Sequence, residues 1–492
     1  MTEVRHRNLR WILPLGLSLV VLVPLAVLWQ RSLVPGSVSV MTMGEPEFGS
    51  GVAFGGHGHM AGGSETSVTD LVDDPNRRAD VTADLRADAA MLEVGGRQVK
   101  GFTVNGTSPG PTIRARQGQL VEVRFTNGSV PGGVTLHWHG LDVPNAMDGV
   151  AGVTQDAVAV GQSFRYRFIA NRAGSYWYHS HQISHGQVIG GLLGAIVVDP
   201  AQPPAPTAVE VVALAHTYGG IRTINGLAAG LSARAQPGDW VRIRVINTDN
   251  ATLPVWSAQP LTLAAIDGAD VNEPTPVSEV MVGVAAGGRA DIVVQVPASG
   301  AARVQLSKAT AVIVGPDAAD APLPSQPTAW LDLLSYGKPA STGLDLSRVD
   351  RSFSYRMTQQ PGFVMGRPGV WWAINGQLYP QVPMFMVRRG ELVAVRFENS
   401  TTETHPMHLH GHHLLIVARD SVPASGSPWW TDSLDVLPGE TYDVVFQANN
   451  PGIWMDHCHN LDHAKDGMVT HLAYEGVTTP FMLGGDHHNE PE

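Results

Sequence analysis

The chain of 492 residues contains one cysteine, Cys458. A single thiol cannot close a disulfide within its own chain, so no covalent cross-link staples this fold. Lysine is almost missing as well, occurring only at Lys100, Lys308, Lys338 and Lys465. Basic residues are outnumbered overall, 32 Lys and Arg against 44 Asp and Glu, which leaves a formal charge of −12. No basic stripe able to follow a phosphate backbone is present, and a nucleic-acid partner is excluded on that ground. Long apolar runs are equally scarce, with one exception. WILPLGLSLVVLVPLAVLW runs uncharged from Trp11 to Trp29 behind Arg5, Arg7 and Arg10. That approaches the ~20 residues of a spanning helix and exceeds the ~7–15 of a signal-peptide core. Basic residues ahead of the run keep the N-terminus in the cytoplasm and send the chain outside. No small-x-small cleavage site follows, and RHRNLR lacks the adjacent arginines of a twin-arginine signal. Residues 1–35 are therefore expected to be a signal or anchor segment, with residues 11–29 crossing the membrane if uncleaved. The remainder is expected to be extracytoplasmic, periplasmic or on the cell surface. A lone thiol in such oxidising surroundings needs protection, and a bond to a metal would provide it.

Glycine (54) and proline (35) are plentiful, which favours many turns over long helices. After a glycine-rich stretch, residues 36–78, expected to be a flexible spacer, one pattern is written three times. VNGTSPGPTIRARQGQLVEVRFTN begins at Val104, INGLAAGLSARAQPGDWVRIRVINTD at Ile224 and INGQLYPQVPMFMVRRGELVAVRFEN at Ile374. Each has an Asn-Gly turn, a short strand, a glycine turn and then the alternation of a strand with one buried face. A second element follows each at similar spacing: VAVGQSFRYRF from Val158, VAAGGRADIVVQV from Val284 and VLPGETYDVVFQA from Val436. Three ordered copies of more than a hundred residues predict three homologous all-β domains, most simply Greek-key β-sandwiches. They are expected over 79–200, 207–320 and 345–480, joined by the proline-rich linkers AQPPAP and APLPSQP.

Histidine is distributed unevenly among the copies. The first holds HWHG (His137, His139) and HSH (His179, His181), and the third holds HPMHLHGHH (405–413) and HCHNLDHAKDGM (457–468). The middle copy has only His216. Alternate side chains on a strand share a face, so each His-x-His aims two imidazoles at one place. Four such pairs in two homologous domains predict a multi-metal cluster at a domain interface. In an extended HCH, His457 and His459 face one side and Cys458 the other. The thiolate then joins a separate mononuclear site with His405, His463 and Met468. Imidazole serves copper, zinc, iron and nickel alike, and the thiolate tips the choice to copper.

HWHG, HSH, HPxHLHGH and HCHxxxHxxxxM in that order resemble the multicopper oxidases, and the likeness covers nearly everything after residue 78. The resemblance implies three cupredoxin-like domains and four copper ions, one type 1, one type 2 and two type 3. It implies a type 1 copper on His405, Cys458, His463 and axial Met468. The type 2 copper would take His137 and His408, and the type 3 pair His139, His179, His181, His410, His457 and His459. It implies an enzyme that couples one-electron oxidation of phenols or aromatic amines to reduction of O2 to water, laccase-like, with Cys458, His457 and His459 as the path between sites. Asp148 matches the acid that family members keep beside the cluster; the alternative is a turn aspartate before Gly149. Some bacterial relatives carry glutamate directly after the type 1 histidine, where this chain has Ala464, with Asp462 and Asp466 the nearby substitutes.

Other donors belong to the same class as metallo-oxidases, namely Cu(I), Fe(II) or Mn(II) in copper homeostasis. No dense methionine insert is visible, and Met357, Met365, Met384, Met386 and Met407 are scattered. A non-catalytic cupredoxin-like scaffold is the reading from another class; it predicts gaps in the ligand set, and there are none. His412 and His413 are expected to pack or support ligands, and His185 and His471 to bond locally. His57, His59 and Met60 fall in the expected spacer, and Asp486, His487 and His488 in an expected disordered tail.

Overall fold

A computed structural model describes residues 20–51, 65–202, 209–316, 321 and 323–492. They form three successive two-sheet β-sandwiches. In the first, a sheet of Arg97–Val104, Val81–Val94, Leu120–Asn127 and Ser163–Ile169 faces one of Gly110–Arg116, Leu193–Asp199, Gly174–His179 and His137–His139. Alternating residues such as Val121, Val123 and Phe125 meet Ile113, Ile196 and Trp138 in the core between them. The middle and third sandwiches enclose their own cores in the same way, around Ile243, Val245 and Ile292 and around Tyr355, Phe397 and Trp454.

The repeat seen in the sequence is a repeat of backbone conformation. Asn105, Asn225 and Asn375 have φ of 53°, 51° and 52°, each followed by a left-handed glycine, as a two-residue hairpin turn matched to strand twist requires. In each sandwich the strand preceding the one that enters that hairpin pairs in parallel with the next long strand, as Val81–Val94 does with Leu120–Asn127. Each of those second strands ends in a buried asparagine, Asn127, Asn247 and Asn399. Its amide donates to two loop carbonyls, for example Val130 and Val158 from Asn127 and Glu403 and Val436 from Asn399. A buried amide left without partners would be costly, so this clamp fixes the loop that follows.

Two expectations are corrected. The stretch read as a flexible spacer is partly built into the third sandwich: Pro46–Glu47 pairs with Met384–Val387, Thr66–Ser67 with Val477–Thr478, and Val40 and Val68 are in its core. Small residues lower the apparent hydrophobicity of such a segment, but short strands on a sheet edge need only backbone groups and one anchoring side chain. Residues 486–492 are likewise docked: Asn489 bonds Ala157 and Asp156, and Glu490 and Ile183 exchange a backbone bond. Residues 20–31 are helical, and Trp29 donates to the carbonyl of Gly366 at 3.1 Å. Among the described residues no helix is long and apolar enough to cross a membrane. Trp11 to Leu19 of the apolar run, and also His57, His59 and Met60, lie outside the described residues.

Candidate copper centre

Strand pairing assembles the histidines. His137 lies opposite His179 across two strands of the first sandwich, and His408 lies opposite His457 across two of the third. All eight imidazoles of the four pairs are buried where the two sandwiches meet, each 2% exposed or less. Their nitrogens fall into trios with atoms within 4.8 Å of one another: His139, His179 and His459; His181, His410 and His457; and His137 and His408 with His139. The first two trios each draw on both sandwiches, so neither exists in one domain alone. The eight residues expected as type 2 and type 3 ligands are thus brought together.

Outer partners decide which ring nitrogen is free. Nδ1 of His137 contacts the Asp148 carbonyl at 2.9 Å, that of His179 the Ser180 carbonyl at 3.0 Å, and that of His408 the Asp432 carbonyl at 2.7 Å. Nδ1 of His410 donates to the Asp148 carboxylate at 3.0 Å and that of His457 to the Cys458 carbonyl at 3.2 Å. In each case Nε2 is left to the cluster; those of His410 and His457 are 3.3 Å apart, and those of His408 and His137 are 3.5 Å apart. His139 is turned the other way: Nε2 faces Asp432 at 3.1 Å, leaving Nδ1 inward. Nδ1 of His139, Nε2 of His179 and both nitrogens of His181 and His459 are buried with no protein partner. Such orphans are rare in native interiors and fit positions that a metal would satisfy. Burial, helped by the neighbouring imidazoles, holds His139, His179, His181, His408 and His410 well below the ordinary histidine range, and burial brings His459 down to about 4. These rings are neutral at neutral pH, the form that donates a lone pair. Asp148, fully buried, bridges the two histidines His137 and His410, and burial raises its carboxyl.

The thiolate site is separate. Cys458 Sγ lies 3.7 Å from His405 Nδ1 and 3.6 Å from His463 Nδ1, and those nitrogens are 3.1 Å apart. Here the tautomer is reversed: Nε2 of His405 is bonded to Thr401 at 2.8 Å and Nε2 of His463 to Glu403 at 3.0 Å, so Nδ1 points inward. Met468 is buried in the same core as Cys458. Burial pulls His405 down to about 3 and pushes the metal-free Cys458 thiol up, a cost that ligation of the thiolate would offset. Trp372 packs against both imidazoles at 4.8 and 4.4 Å between centroids.

Several residues at the site have no sequence motif. Asp432 touches His139 and His408 and is held by Arg289 of the middle sandwich, so that sandwich is not remote from the centre. Glu403 borders His463, and Glu492 brings a carboxylate oxygen to 3.4 Å from His457 Nδ1. Burial pushes the Glu492 carboxyl up to about 8. Glu403 alone had a local cue, an acid two residues before the first histidine of HPMH. His412 and His413 take the supporting places expected, bonded to Tyr474 and 3.1 Å from Asp142. His185 lies 3.4 Å from Asp462 and His487 3.5 Å from Asp156, neither at the cluster.

A three-sandwich chain with a thiolate site in its last domain and an imidazole cluster between the first and last is the architecture of a blue-copper oxidase. Residues 87–203 and 349–476 each match a sequence profile described as multicopper oxidase. The multicopper oxidase MmcO of Mycobacterium tuberculosis is 29% identical over 81% of this chain and 88% of its own length. Laccase-1 of Botryotinia fuckeliana is 26% identical over 74% and 77%. The crystal structure of a multi-copper oxidase from Pseudomonas thermotolerans superposes with a TM-score of 0.67 at 27% identity, covering 81% of this chain and all of the other. The chain belongs to the multicopper oxidase family.

Proposed function

We propose that this protein takes single electrons from small donors at His463 and passes them to O2 at the interdomain cluster. The type 1 ligands are His405, Cys458, His463 and Met468, the type 2 ligands His137 and His408, and the type 3 ligands His139, His179 and His459 on one ion and His181, His410 and His457 on the other. Four coppers so held would supply one-electron uptake and the four-electron reduction of O2 to water. One observation carries the reading: on Ile453–Cys458 and the residue after it, Cys458 faces the mononuclear site while its chain neighbours His457 and His459 enter two different cluster trios. Electrons leaving the thiolate therefore have a covalent path of a few bonds to either ion. Asp148 keeps His137 and His410 in register and sets a carboxyl group beside the cluster, where water formation consumes protons.

The donor is read as a phenol or aromatic amine, laccase-like. Its O–H or N–H can bond Glu403, half-exposed at the outer edge of His463, which accepts the proton as the electron leaves. The same carboxylate, with Asp462 and Asp466 nearby, favours a cationic donor too, so metal-ion oxidation is the second reading. On this reading the work is done outside the cytoplasm, with membrane attachment through residues 11–29 if that segment is uncleaved. Steady-state O2 uptake on the copper-loaded protein with a phenol, an aromatic amine, Fe(II) and Cu(I) tests both. Uptake fastest with the organic donors supports the first reading, uptake fastest with the ions the second, and no uptake with any donor overturns the oxidase assignment.

A further inference from the structure

The middle sandwich contributes no ligand, yet it touches the cluster at two places. Gly287, at φ +78°, is so close that a Cβ there would lie 2.7 Å from His459 and 2.8 Å from His139. Two residues on, Arg289 is fully buried with its guanidinium at the junction of all three sandwiches. It donates to both oxygens of Asp432 in the third, Nη2 at 2.7 Å, and through Nε to the Ser175 carbonyl of the first at 3.0 Å. Asp267, on its own sandwich, lies 3.3 Å away. Asp432 in turn reaches His139 of the first sandwich through its carboxylate and His408 of the third through its backbone carbonyl.

We propose that Arg289 is a positioning residue for the cluster, by which the ligand-free domain sets the orientation of histidines on the other two. A carboxylate gripped at both oxygens by a planar fork has one orientation, whereas a carboxylate held at one point rotates. In the gripped orientation Asp432 accepts from Nε2 of His139, and the Nδ1 lone pair is thereby directed into its trio. His139 alone among the cluster histidines is bonded outward through Nε2, to the Asp432 carboxylate and the Ser433 hydroxyl, each at 3.1 Å. Of the two, only the carboxylate is an obligate acceptor, so its orientation fixes the tautomer. Outer partners of ligating histidines typically govern 10–100-fold in metal affinity.

The inference rests on the copper assignment above, and the test separates the two. Full-length parent, Arg289→Lys, Arg289→Met and Thr252→Ala are equilibrated with copper against a graded chelator, and bound copper is counted alongside the visible thiolate–copper band. Thr252 bonds Asp435 at the same domain junction but touches no histidine, and serves as the control. Arg289→Lys keeps the buried charge opposite Asp432 and so perturbs the fold less than Arg289→Met. The expected outcome is cluster copper bound 10–100-fold more weakly in Arg289→Lys, an unchanged thiolate band, and parent behaviour in Thr252→Ala. Parent-like cluster affinity in Arg289→Lys would overturn the positioning role. So would parallel loss of cluster copper and the thiolate band, which marks general loosening. A parent that binds copper at neither site instead refutes the assignment on which the inference rests.

Discussion

Cys458 is buried without a disulfide partner, and its environment disfavours a bare thiolate. Cys458→Ser is accordingly expected to lose the visible thiolate–copper absorption and all donor-driven O2 uptake while retaining the cluster copper, measured by absorbance and metal content on the same sample. Asp435 makes a different point at this scale. Burial between the middle and third sandwiches, with repulsion from Asp267 and Glu440, raises its carboxyl to about 6, against Thr252 as its bonded partner. A raised folded value means the folded state holds the proton more tightly; that stabilisation is complete below the unfolded value near 3.9 and is lost as pH rises through about 6. At neutral pH the buried charge costs up to about 3 kcal/mol, taking roughly 1.4 kcal/mol per unit. Asp435→Asn should therefore melt several degrees above the parent at pH 7–8, with the gap closing toward pH 4. The residues legible in the sequence were those whose chemistry is written locally, the His-x-His pairs and the cysteine. Asp432, Arg289 and Glu492 were not, because each acts on a partner from a distant part of the chain and carries no spacing of its own.

Elements show where periodicity was enough and where composition misled. The two-residue period of a strand placed Cys458 and its neighbours on opposite faces, and Ile453–Cys458 has that arrangement. The Asn-Gly turns gave three hairpins because only a left-handed pair joins such strands tightly. By contrast the segment 36–78 was read from its glycines, although its edge pairing depends on backbone groups that every residue carries. The turn at Gly287 offers a test at this scale. A Cβ would press on two imidazoles fixed by packing, and overpacking of this kind costs about 1–3 kcal/mol. Gly287→Ala is expected to reduce cluster copper and lower the melting temperature by several degrees, leaving the thiolate band in place; full cluster occupancy would show the contact to be soft.

At the scale of the molecule, the threefold repeat and the uneven histidine loading were legible, and from them the interface between the first and third sandwiches followed. The way the middle sandwich leans on that interface was not, since Gly287 and Arg289 sit in no motif that marks a contact with another domain. Ions bridging two domains stabilise only the assembled state, by about 4 kcal/mol when free metal exceeds the dissociation constant a thousandfold. Stripping copper with a strong chelator should thus lower the melting temperature and split one calorimetric transition into two or more. A single unshifted transition would mean that the interface is held by packing alone.

The trios that span the junction also impose an order on biosynthesis. His181 emerges from the ribosome 224 residues before His405, an interval on the order of ten to fifty seconds at ~5–20 residues per second. Through that time the first sandwich displays two converging imidazole pairs with no third-domain partner to complete them. It is then a ready-made chelator for whichever divalent ion is most abundant around the nascent chain. A ligand set divided between the ends of a polypeptide therefore works best when synthesis and metal loading are kept in separate compartments.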